Sequence, residues 1–221
     1  MSAQPALRTV EYSIDDFRGI TGLVEQPYIL VVGADSPWQT LDDLANSNER
    51  VVYGHPAVGG FPHIAQAAFF RQAGVQAEAV PFEGNEPALQ ALLGEQIQAL
   101  AVEPSEAIPQ IDAGEITPLA VTSPERLDIL PDVPSFEEAG YDQATFVQSW
   151  SLLVASGTPD ENVEVLQNAV SEAVESPEYQ NFIEDNYMAP NLISGEEVIE
   201  NMKSEQERIA QLYEELDIQA A

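Results

Sequence analysis

His55 and His63 are the only histidines of the chain, and the residues between them carry neither a nucleophile nor a carboxylate. What His55, Pro56, Ala57, Val58, Gly59 and Gly60 offer instead is a run of backbone N–H groups beside the positive end of a helix dipole. Such a turn binds phosphate or carboxylate without cationic side chains. His63 falls in the first turn of that helix and is expected to hydrogen-bond back to the turn, with a bound anion as its secondary contact. A metal site built on the two histidines lacks the i, i+4 spacing of a helical pair and has no cysteine to complete it, so no metal is expected.

The remaining candidates are carboxylates. Glu83 with Glu86, and Glu103 with Glu106, have the composition of a general acid–base pair. With 38 Asp and Glu in the chain, close acidic pairs are expected by chance, and both are read as solvated faces. The sequence holds no Gly-x-Ser-x-Gly elbow, no Walker loop with its lysine and no Gly-x-Gly-x-x-Gly fingerprint. No catalytic residue and no cofactor is expected.

The turn needs a strand before it and a helix after it, and the sequence provides both. Val51 to Tyr53 reads as a short buried strand. In the segment after Gly60, Ile64, Ala65, Ala68, Phe69 and Ala73 share one helical face. Strand-like and helix-like segments alternate around this unit. Phe17 to Val24 and Pro27 to Gly33 read as one long strand or two joined by a bend, and Thr40 to Ser47 as a short helix. Gln76 to Phe82, Ile97 to Val102 and Thr117 to Thr122 follow as strands, with helices through Leu93 and from Ser105 to Ala113 between them. The rhythm fits parallel βαβ units, so the class is α/β, with the turn at the carboxyl end of a strand, where open sheets bind ligands. After Thr122 the pattern gives a Pro-rich acidic stretch with a short helix near Ser135 to Ala139. A long apolar strand, Thr145 to Ala155, comes next. Three helices follow, from about Glu161, Pro177 and Gly195, and few strands remain for them to cover.

Composition bounds the partners. Seven Lys and Arg against 38 Asp and Glu leave a net charge of −31, spread along the whole chain, with Lys203 the single lysine. At about 1 M salt the Debye length is about 3 Å, so the reading is adaptation to high salt. No basic patch exists to neutralise phosphates, and nucleic acid is not an expected partner. No apolar run approaches the roughly 20 residues of a membrane span. Met1 to Pro5 lacks the basic and apolar regions of a secretion signal.

Four segments resemble a known family, the extracytoplasmic solute receptors of tripartite tricarboxylate transporters. They are residues 53–65, residues 82–97, residues 120–141 and residues 149–159. The resemblance implies a periplasmic-binding-protein type II-like, Venus-flytrap fold that closes on a small carboxylate, and transporter membrane subunits as partners. It implies one complete α/β domain over residues 27–146 and an incomplete second domain from residues 1–26 plus 147–221. The family's first-lobe glycine loop and its secretion signal have no counterpart here, so an N-terminal truncation is expected, with poor binding by this chain alone. The second-lobe loop matches 54–63, with Ala57 in place of the family's first loop glycine and Gly60 in place of its usual serine or threonine. His63 matches the family's histidine. The competing readings are a ligand-sensing effector domain of a transcription regulator, which needs a DNA-binding segment elsewhere, and an enzyme that holds phosphate in the glycine turn.

Overall fold

The computed structural model describes residues 10–218. Its strands are β1 (Phe17–Pro27), β2 (Ile29–Gly33), β3 (Val51–His55), β4 (Ala77–Pro81), β5 (Ala99–Val102), β6 (Ile116–Val121), β7 (Val147–Ala155) and β8 (Ala189–Pro190). Its α-helices are α1 (Leu41–Ala45), α2 (Phe61–Ala73), α3 (Asn85–Leu93), α4 (Pro104–Asp112), α5 (Asp160–Val174), α6 (Pro177–Asp185) and α7 (Gly195–Glu215). Of the described residues, 27–147 with 214–218 form one unit, and 10–26 with 148–213 form the other.

The 27–147 unit is built on a five-stranded sheet in the order β4-β3-β5-β2-β6. β3 runs parallel to β4 and β5, and β2 runs antiparallel to both β5 and β6. The sheet is therefore mixed, where the alternation of elements had suggested parallel pairing throughout. The apolar run Ile29-Leu30-Val31-Val32 is fully buried and suits a central strand of either direction. The helices α2, α3 and α4 each leave the carboxyl end of a parallel strand or the loop after it. Their N-termini thus gather at one edge of the sheet. That edge positions the site.

Local chemistry explains the helix boundaries. α1 starts in a capping box: Asp43 N–H donates to Thr40 Oγ1 at 3.1 Å, and Thr40 N–H donates to Asp43 Oδ2 at 2.9 Å. α2 ends at Gly74, whose φ of 72° lets its N–H reach back to the carbonyls of Phe70 and Arg71. Ile64, Ala65, Ala68 and Phe69 of α2 are buried, as the periodicity indicated. Ala68 and Phe69, with Phe70, pack among Leu30, Tyr53, Trp38 and Phe136 in the core. Each such large side chain contributes about 1.5–3 kcal/mol by leaving water. The helix expected at Ser135 to Ala139 is a turn. Glu138 N–H donates to Ser135 Oγ at 3.0 Å and Ser135 N–H to Glu138 Oε2 at 3.1 Å, but Gly140, with φ 85°, follows and reverses the chain.

In the other unit β1 is the centre of a three-stranded sheet in the order β7-β1-β8. The tail helices have a sheet after all, completed by the two-residue strand Ala189–Pro190. Gly19 of β1 and Gly195 at the start of α7 meet backbone to backbone, and a Cβ on either would overlap the other's carbonyl. Gly195→Ala is expected to cost this unit about 2–3 kcal/mol in a urea melt, the upper range for overpacking. Gly157→Ala, where an added Cβ meets nothing within 4 Å, should change little.

Among the described residues five ion pairs are seen: Arg18–Asp160 and Lys203–Asp15 at 2.5 Å, Arg126–Glu138 at 2.8 Å, Arg71–Glu215 at 2.9 Å, and Arg50 with Glu78. All are largely solvated, and each contributes about 0–1 kcal/mol. They do not offset a net charge of −31.

Candidate functional site

β3 delivers His55 to the edge of the sheet, the loop 56–60 follows, and α2 begins at Phe61. The loop is shaped by its own hydrogen bonds. Gly59, at φ 69°, donates its N–H to His63 Nδ1 at 3.0 Å. Gly60 N–H donates to the Ala57 carbonyl at 3.2 Å, and Ile64 N–H to the Gly60 carbonyl at 3.0 Å. Two of the donors expected for a ligand, those of Gly59 and Gly60, are thus engaged inside the loop. The amides of Ala57, Val58, Phe61 and His63 take no part in these bonds, and Pro62 has no N–H to offer. Among the described residues no partner is seen for these four amides.

The histidine rings stack 4.0 Å apart at an interplanar angle of 10°. Both are buried, His55 at 1% and His63 at 7% exposure. Parallel stacking keeps their nitrogens from converging on one ion. Among the described residues no group of three or more His, Cys, Asp or Glu is placed to hold a metal. Burial, and then the neighbouring His55, push the His63 pKa down to about 3. Burial lowers His55 as well, opposed by the Ala57 backbone. Two neutral imidazoles follow. Because His63 Nδ1 accepts a hydrogen bond, its proton sits on Nε2.

Gln66, one turn further along α2, was not singled out by the sequence. Its Nε2 donates to the Gly54 carbonyl at 3.0 Å and the Pro62 carbonyl at 2.9 Å, bracing the strand end against the helix start. A lone polar residue inside the apolar run of residues 64–70 is the signal that could have found it, and the structure buries it fully. Its Oε1 and His55 Nδ1 are buried without a partner among the described residues.

Depressed histidines set the sign of an acid response. A folded pKa below the unfolded value of 6.5 means the unfolded chain binds more protons between those values. Stability from His63 is therefore full above about pH 6.5 and is lost as pH falls toward 3. The melting-temperature difference between the wild type and a His63→Asn variant should shift against the wild type as pH drops from 7 to 4.

The acidic pair at the same edge is the correction to the sequence reading. Glu103 and Glu106 are half-buried, not solvated, whereas Glu83 and Glu86 are exposed as expected. Glu103 follows β5, and the register Gly54↔Leu100 sets it level with the start of the loop. Burial raises the Glu103 carboxyl, against a hydrogen bond from the Asn85 side chain. Glu106 is raised by burial and then by Glu103, with Asn85 again opposing and Glu86 adding to the rise. Tyr28 is raised by burial and by both carboxylates. The edge therefore combines helix N-termini, which favour negative charge, with two carboxyls that favour protons or donors.

A concavity of about 760 Å³ lies elsewhere, where the parallel strands begin. The Gly33–Trp38 loop lines it with Glu49, Glu95 and Glu115, and none of the loop residues 55–63 reaches it.

The tripartite tricarboxylate transporter family receptor model, TctC, matches residues 1–218. A UPF0065 protein of Cupriavidus necator is 28% identical over 190 residues, 83% of this chain and 57% of that protein. A solved R. palustris protein with adipate is 27% identical with a TM-score of 0.83, covering 99% of this chain and 75% of that one. MatC from Rhodopseudomonas palustris, with bound malate, is 25% identical with a TM-score of 0.78, covering 94% and 74%. The chain spans 57% and 49% of the length of two curated relatives it matches.

Proposed function

We propose, since the chain belongs to the tripartite tricarboxylate transporter receptor family, that its 27–147 unit is the part of a solute receptor that takes a small organic acid at the carboxyl edge of the sheet. One observation carries this reading. α2, α3 and α4 all begin at that edge with Gly60, Gly84 and Glu103 as N-caps, and none has a side-chain cap. Thr40 and Ser176 do cap α1 and α6, while α5 in the other unit starts after Pro159 without a side-chain cap. Uncapped first-turn amides at a shared edge are donors kept for something else, and a carboxylate is the group that suits them. The ligand meets the Ala57, Val58, Phe61 and His63 amides of the loop that His55 and Pro56 begin, with Gly59 and Gly60 shaping the turn and the His63 ring behind it. Adipate and malate in the two solved relatives put dicarboxylates first among candidates. The receptor works outside the cytoplasm, delivers its ligand to membrane subunits of a tripartite transporter, and performs no chemistry on it.

The test is a calorimetric titration in molar KCl with adipate, malate, a tricarboxylate, phosphate and the diamide of adipate. Diacids should bind, weakly where this chain is titrated alone, and the diamide should not; equal binding of the diamide, or preference for phosphate, contradicts the reading. Glu106→Gln should tighten diacid binding roughly 3–10-fold at pH 7, because it removes one like charge from a half-buried edge. The wild type should gain affinity as pH falls below 7, as far down as the diacid stays ionised. Burial raises the Glu103 and Glu106 carboxyls above the ordinary carboxylate range, so they take up protons before an ordinary carboxylate would and shed like charge at the edge.

A further inference from the structure

We propose that the His63 side chain positions the binding loop, acting through its Nδ1 lone pair on Gly59 rather than by touching the ligand itself. The ligand readout rests on the function proposed above; the loop readout does not.

Gly59 is buried and held in the left-handed region at φ 69°. Its N–H points away from solvent and needs an acceptor, which His63 Nδ1 supplies at 3.0 Å. The imidazole is fixed for this task. His55 stacks on one face at 4.0 Å, and the Tyr53 ring lies at 6.2 Å and tilted by 40°. Gln66 ties the carbonyl of Pro62, one residue before His63, to the strand end at Gly54. With the ring immobile, the Gly59 bond sets the loop's turn, and the turn sets where the Ala57 and Val58 amides point. A backbone dipole misdirected by tens of degrees is a poor donor to a carboxylate.

Side-chain isosteres separate the two roles of an imidazole. Asparagine places an oxygen where Nδ1 sits and nothing where Nε2 sits; glutamine places a polar atom near Nε2 and none near Nδ1. The first readout is amide hydrogen exchange at Gly59 without ligand. Protection is expected in the wild type and in His63→Asn, with a loss of at least tenfold in His63→Gln and His63→Leu. The second is diacid affinity in molar KCl: His63→Asn should rescue it to within about threefold, and the other two should lose tenfold or more. A ¹⁵N spectrum of the wild type should give His63 an unprotonated Nδ1 and a protonated Nε2. Retained binding in His63→Gln with loss in His63→Asn would overturn the proposal and make Nε2 a direct ligand contact. Equal Gly59 protection in all four proteins would overturn it too. If protection follows the expected order while no diacid binds any of them, the positioning role stands and the function reading falls.

Discussion

Gly59→Val is expected to weaken diacid binding by roughly 100-fold, about 2.8 kcal/mol at 1.4 kcal/mol per tenfold, while the melting transition survives. Gly59 sits at φ 69°, a region that a β-branched residue enters only as an outlier. It is also buried, so a valine side chain there would be enclosed by protein rather than by solvent. The loop must then open or rotate, and either movement breaks the bond to His63 Nδ1 and turns the Ala57 and Val58 amides away. Gly60 is the control. Its φ of −72° is open to any residue, and an added Cβ would come no nearer than 3.4 Å, to the Ala57 carbonyl. Gly60→Ala should lose no more than about threefold. Calorimetry with a thermal melt of each variant checks both, and undiminished binding in Gly59→Val would take the loop out of the site.

Raising KCl from 0.1 M to 3 M should raise the melting temperature by at least about 10 °C. For a chain of this length each kcal/mol of relieved repulsion moves the transition by about 2–4 °C. A net charge of −31 supplies the repulsion, and the largely exposed ion pairs contribute too little to cancel it. Screening acts on every pair of exposed carboxylates at once, so the gain accumulates where single salt bridges do not. Scanning calorimetry across a KCl series measures it. A melting temperature independent of salt would contradict the adaptation to high salt.

How much of this was legible in the sequence depended on the range of the interaction involved. The glycine turn, the apolar face of α2 and the bond from His63 to the turn are local, set by residues within a few positions of one another. Glu103 and Glu106 are not. Among 38 acids nothing in their neighbourhood distinguishes them from solvated pairs, and their burial comes from β5 lying beside β3, some 46 residues away along the Val52–Gln98 hydrogen bond. The direction of β2 was hidden for a similar reason, because an apolar run reports burial and not polarity of pairing. At Ser135 the local signal itself misled. A capping pair three residues apart announces a helix, and only the left-handed Gly140 stops it after one turn. β8 is two residues long and leaves no periodicity to read. Gln66 sits in a helix that was recognised, but its role needs the Gly54 carbonyl across the loop.

The central claim is that a carboxylate meets the free amides of the loop at the carboxyl edge of the sheet. The most direct measurement is an amide-resolved NMR titration of the chain with adipate in molar KCl, which reads weak binding as well as strong. The account predicts saturable shifts centred on Ala57, Val58, Phe61 and His63, with smaller ones at Asn85 and Glu103 and none around Asp35, Glu95 and Glu115. Shifts centred on the groove at the opposite edge, or no saturable shift at the loop up to tens of millimolar adipate, would contradict it.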